Sequence, residues 1–88
     1  MVDLINELKG FVEQQLEAEE TGDLDWLEAH DRAFRWIDRL DENNLEVSPV
    51  VFLFLEETLH RRDPSFGRIR RGQMRAALTS QIAFPGSV

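Results

Sequence analysis

An all-α fold, a small antiparallel bundle of four helices with the fourth short, is what this sequence predicts. Three observations carry it. Apolar residues recur at helical spacing through most of the chain. Helix-start residues stand ahead of those stretches, at Asp3, Asp23 and Ser48. Glycine or proline follows three of the four stretches, and the polar run Asp41-Glu42-Asn43-Asn44 follows the second as its connecting loop. At 88 residues the chain has room for one domain, expected over 1–88.

The first helix is expected from Asp3 to Glu20. Leu4, Ile5, Leu8, Phe11, Val12 and Leu16 make one stripe, and Glu13, Glu17 and Glu20 fall on the far face. Gly10 weakens it and suggests close approach of a neighbour. Thr21-Gly22 stops it, with glycine suited to the left-handed position past a helix end.

The second helix is expected from an Asp23 cap to Leu40. Leu24, Leu27, Phe34, Ile37 and Leu40 form its core stripe, widened by Trp26, Ala33 and Trp36. Asp25 and Glu28 sit in its first turn, where the helix dipole favours acids.

The third starts at Ser48 with Pro49 in the first position, where a missing N–H costs nothing. Val50 to Leu55 is apolar on every side, so Phe52 and Leu55 read as core. Such a helix is either central or half of a dimer contact, and a homodimer through it is expected. Asp63-Pro64 reads as its end. The fourth is expected from Gln73 to Phe84, after a stretch punctuated by Gly67 and Gly72. Met74, Ala77, Leu78, Ile82 and Ile69 form its buried face, and Pro85-Gly86 ends it.

The charge is split by position. Residues 1–57 hold 16 of the 17 acids and four of the ten bases, a net of −12. Residues 58–88 hold one acid, Asp63, and six arginines, a net of +5. The total of −7 argues against a dedicated nucleic-acid domain, which is usually basic overall. With no cysteine there is no disulfide and no thiolate metal site. A cytoplasmic setting is expected. Met1-Val2-Asp3 is unlike a signal peptide. The apolar run from Pro49 to Leu55 falls far short of the roughly 20 residues that span a bilayer.

Two charged constellations stand out. Residues 17–28 carry Glu17, Glu19, Glu20, Asp23, Asp25 and Glu28 with no base among them. They read as a docking surface for a basic partner, with Glu17, Glu19, Glu20, Asp25 and Glu28 in contact. A solvated turn and neutralisation by the arginine segment remain alternatives. Asp23 and Asp25 have the first spacing of a calcium loop, but the rest of that pattern does not follow. The second constellation is Arg68, Arg70, Arg71 and Arg75. It reads as a phosphate or nucleic-acid contact, as a second docking surface, or as a face of internal salt bridges.

Catalytic signals are poor. Ser48, Ser65, Ser80 and Ser87 lack a nucleophile elbow, and Gly67 and Gly72 lack the lysine of a phosphate loop. Glu57-Thr58-Leu59-His60 has the Glu-x-x-His spacing of di-iron bundles. A dimer with Glu13 or Glu17 as further ligand would complete it, but a histidine complementing a helix end explains His60 equally. His30 reads as a hydrogen-bonded boundary residue. No cofactor and no resident metal are expected.

The function these features predict is non-catalytic: a small acidic inhibitor or adaptor of a basic protein. An immunity protein or antitoxin that neutralises a basic nuclease would need such a surface. A nucleic-acid-associated regulator using Arg68 to Arg75 comes second, and a dimeric di-iron carboxylate protein third.

Overall fold

The computed structural model describes residues 3–80, and within them the chain is all-α with no strand. In chain order the elements are α1 (Leu4–Thr21), α2 (Trp26–Glu42), α3 (Pro49–Glu56), a 3-10 turn (Leu59–Arg62) and α4 (Pro64–Ser80). No helix among the described residues is long and apolar enough to cross a membrane.

Asp3 caps α1, accepting from the N–H groups of Ile5 and Asn6. Gly22 ends it at φ 77° and donates its N–H to the Ala18 carbonyl. Both ends follow the sequence signals. Gly10 makes no close approach: it is exposed and nothing lies within 4 Å of where a Cβ would stand.

The cap of α2 is Asp25 rather than Asp23. Its carboxylate accepts from Leu27 N–H at 3.0 Å and Glu28 N–H at 3.3 Å. Asp25-x-x-Glu28 has the capping spacing that Asp23-x-x-Trp26 lacks. α1 and α2 run antiparallel. Glu7 meets Arg39 at 3.2 Å, the Phe11 and Trp36 rings lie 6.2 Å apart, and Ala18 shares a cleft with Asp25.

α3 stops at Glu56, well before Asp63. Its last carbonyls have been taken by side chains: Arg61 NH1 donates to the Phe54 carbonyl, and Thr58 Oγ1 to that of Leu55 at 2.8 Å. Those acceptors would otherwise receive the next helical N–H groups. Ser48 stands at the N-cap in extended conformation, but its hydroxyl makes no capping bond.

Asp63-Pro64 therefore begins a helix instead of only ending one. Asp63 accepts from Ser65 N–H at 3.0 Å, and Pro64 fills the first position. So α4 is 17 residues long, the arginine segment lies inside it, and α3 with eight residues is the short helix. Phe84, Ile82 and Pro85-Gly86 lie outside the described residues.

The core draws on all four helices. Leu8, Val12 and Leu16 of α1, Val51 and Leu55 of α3, and Met74 of α4 are fully buried, with Ala33, Trp36 and Leu40 from α2. The buried face of α2 is rotated from its expected position. It centres on Ala29, Ala33 and Trp36, while Leu27 is 69% exposed and Phe34 38%. Ala29, Ala33, Trp36 and Leu40 recur at helical spacing, and burying that stripe leaves the Leu27–Phe34 flank outward. Two other expected core residues also face solvent, Phe52 at 40% and Ile69 at 60%.

Candidate interaction surface

Glu19 continues the buried stripe of α1, one helical step beyond Val12 and Leu16. Its carboxylate is fully buried, so it is not presented to a partner. Oε1 accepts from Arg71 NH1 at 3.1 Å and Arg61 Nε at 3.0 Å. Oε2 accepts from Arg61 NH2 at 3.0 Å and Gln15 Nε2 at 2.9 Å. One buried acid thus ties α1 to the 3-10 turn and to α4.

Arg61 is its main counter-charge and is itself buried, with its guanidinium 3.7 Å over the Phe54 ring. Burial pushes this guanidinium down from its ordinary value, and the hydrogen bonds to Glu19 push it back up. Gly67 leaves room for the network: a Cβ there would stand 2.5 Å from the Arg61 carbonyl and 2.7 Å from Arg71 NH1.

Two more arginines of the segment contact acids, at more exposed sites. Arg75 Nε donates to Glu20 at 2.9 Å. That hydrogen bond holds the Glu20 carboxyl below its ordinary value and raises Arg75. Arg70 lies 3.0 Å from Glu57, in charge contact but not aligned as a hydrogen bond, and packs over Phe66. Among the described residues only Arg68 of the four predicted cations has no ion-pair partner; it lines a 570 Å³ cleft with Glu19, Glu20, Arg71 and Arg75.

The acidic elbow is therefore largely spoken for. Glu19 and Glu20 pair with α4, Asp25 caps α2, and Glu28 pairs with Arg32. Glu17 and Asp23 remain exposed, and Glu17 with Glu13 adds to the field at Arg75.

Across the described residues, the seven ion pairs use seven of the ten basic residues and six of the 17 acids. Eleven acids are left against Lys9, Arg62 and Arg68. Four of them, Asp38, Asp41, Glu42 and Glu46, gather near the end of α2.

Three of those four line a groove that sequence reasoning missed. It measures 470 Å³ and lies between the last turns of α2, the 43–48 link and α3. Ile37, Leu40, Leu45, Val47 and Phe52 form its walls, and Asp38, Asp41 and Glu46 its acidic rim. The sequence signal was the placement of Asp38, Asp41 and Glu42 in the last turns of α2, against the helix dipole.

The Glu57–His60 pair does not share a helical face. Glu57 caps α3 and contacts Arg70, while His60 lies in the 3-10 turn against the Phe66 ring at 6.1 Å. No group of three potential metal-ligating side chains is found among the described residues. His30 packs on Phe34 at 4.4 Å, and its buried Nδ1 has no hydrogen-bond partner.

No family model, curated protein or solved structure matches this chain.

Proposed function

We propose that this chain is a non-catalytic binding module for a basic protein, acting as an inhibitor or adaptor. The observation that supports it is the charge left over after internal pairing, eleven acids against three bases. A surface of that sign attracts a cationic partner and repels nucleic-acid backbone. An immunity-protein or antitoxin role against a basic nuclease, in a cytoplasmic setting, is one instance of this chemistry.

A homodimer through α3 has less behind it than the sequence suggested. Val51, Phe54 and Leu55 are covered within the chain, which leaves Phe52 as the exposed large side chain of α3. The second reading, nucleic-acid contact through the arginine segment, has one supporting observation, the unpaired Arg68 in its cleft. Glu19 and Glu20 in the same cleft oppose it.

Two titrations test the proposal. The chain should bind cationic proteins in a salt-dependent way and leave labelled DNA and RNA free at the same ionic strength. Salt-sensitive retention of nucleic acid, lost on changing Arg68 to Ala, would instead establish the regulator reading.

A further inference from the structure

The groove at the end of α2 has apolar walls, an exposed aromatic and an unneutralised rim. Phe52 stands 40% exposed on its α3 side. Ile37, which lines it, belongs to a flank of α2 that continues through Phe34, His30 and Leu27 at i−3, i−7 and i−10. That flank is about 15 Å long, enough for about three turns of a helix laid beside it. Leu27 and Phe34 are also exposed large side chains, at 69% and 38%. Together they form an apolar track of the kind that marks contact surfaces.

The rim decides what fits the track. Asp38, Asp41 and Glu46 have no ion-pair partner among the described residues. Asp41 and Glu42 stand in the last turn of α2, where acids oppose the helix dipole and cost stability. The elbow acids differ, since Asp25 and Glu28 sit at the favoured N-terminal end and have structural roles. Local rules tend to be broken where a surface is used. A second copy of this chain would bring the same three carboxylates to face one another, and like charges across an interface are costly. A cationic partner would neutralise them.

We propose that this groove and the adjoining α2 flank dock a basic amphipathic helix of the partner protein. Its apolar side would enter between Ile37, Val47 and Phe52, and its lysines or arginines would meet Asp38, Asp41 and Glu46. This is helix-in-groove recognition, with anchors at helical spacing and charge setting the register. The proposal rests on the binding-module reading above and adds where the partner sits and which element it offers.

The experiment is an amide NMR titration of the full chain with three synthetic peptides of about 18 residues, five helical turns. One has leucine on one face and lysine on the other. The second has the same pattern with glutamate for lysine. The third is lysine alone. The leucine–lysine peptide should shift the amides of Ile37, Asp38, Leu45, Glu46, Val47 and Phe52. It should bind about tenfold or more tightly than the lysine peptide, and the glutamate peptide should not bind. Phe52→Ala should weaken binding about tenfold, the size expected of an interface anchor. A triple variant, Asp38→Asn with Asp41→Asn and Glu46→Gln, should weaken it and flatten its salt dependence. Shifts confined to Glu13, Glu17 and Asp23 would overturn the groove and leave the binding-module reading standing. Failure of both basic peptides to bind would overturn the two together. Concentration-dependent shifts at the groove without peptide, with the mass of a dimer, would give the groove to a second copy and overturn the proposal.

Discussion

Replacing Glu19 and Arg61 singly and together measures how much the buried network holds. Glu19→Met leaves Arg61 buried without its carboxylate, and Arg61→Met leaves the fully buried Glu19 with only Arg71 and Gln15. Methionine matches the length of glutamate and keeps the arginine stem as far as the position of Nε. Removing one partner of a buried pair costs about 3–5 kcal/mol, because the other charge stays desolvated. A domain of this size has about 4–13 kcal/mol in all, so each single variant should lose a large share. The double variant removes both charges. It loses the partner of the Phe54 carbonyl that Arg61 served, about 1–3 kcal/mol for an unsatisfied buried acceptor, and packing over the Phe54 ring. The Gln15 and Arg71 groups that Glu19 served lose theirs as well, a loss shared with Glu19→Met. It should therefore be no less stable than Glu19→Met. That implies a coupling of at least about 2 kcal/mol, well above what independent sites show. Urea unfolding followed by far-UV circular dichroism gives each value, with an unchanged m-value licensing the comparison. Costs that add within about 0.5 kcal/mol would refute the reasoning. So would single variants that each lose less than about 1 kcal/mol, the range of an exposed pair.

Three further outcomes follow from the same geometry. Gly67→Ala should destabilise by about 1–3 kcal/mol, because the new Cβ meets the Arg61 backbone oxygen; Gly72→Ala, in open space on the same helix, should stabilise by about 0.5–1 kcal/mol, and thermal unfolding compares the two. Leu55→Ala, fully buried, should cost about 2–5 kcal/mol, and Phe52→Ala clearly less, since Phe52 is 40% exposed; equal losses in urea titrations would contradict the burial pattern. The Glu20 carboxyl is held below its ordinary value of 4.5 by Arg75, so its contribution is complete above that value and is lost as pH falls through the lowered one. The stability gap between the parent and Glu20→Gln should therefore close on acidification, and a gap that widens in urea titrations at low pH would oppose the assignment.

The helical class is legible because periodicity, cap and stop signal agree along α1, and because helical periodicity marks α2 even though its cap lies two residues past the expected Asp23. Boundaries failed where one signal carried two meanings. Asp63-Pro64 marks an end and a beginning alike, and reading only the end hid the first half of α4. Gly67 read as a breaker because its reason is tertiary: the Arg61 carbonyl and the Arg71 guanidinium occupy the space a side chain would need. The end of α3 depends on Arg61 reaching the Phe54 carbonyl seven residues back, which no local pattern announces. Glu19 was legible in principle, since it falls on the stripe of Val12 and Leu16. Its charge groups it with its acidic neighbours, whereas its face places it in the interior. The groove was hidden because Phe34 and Leu27 looked like core. Only the packing of Ala29 and Ala33 shows which side of α2 turns inward.

The central claim is that the arginine-rich half of the chain is folded onto its own acids, leaving an acidic outer surface. The arginine Nε–H region of a proton–nitrogen NMR spectrum at neutral pH tests it most directly. Arg61 Nε donates to both Glu19 oxygens at 3.0 and 3.1 Å in a buried site, whereas Arg68 is exposed and has no ion-pair partner among the described residues. The account predicts a separate, slowly exchanging Arg61 signal and rapid exchange at Arg68. Equal, rapid exchange of both would mean that Arg61 is open to solvent, and the claim would fail.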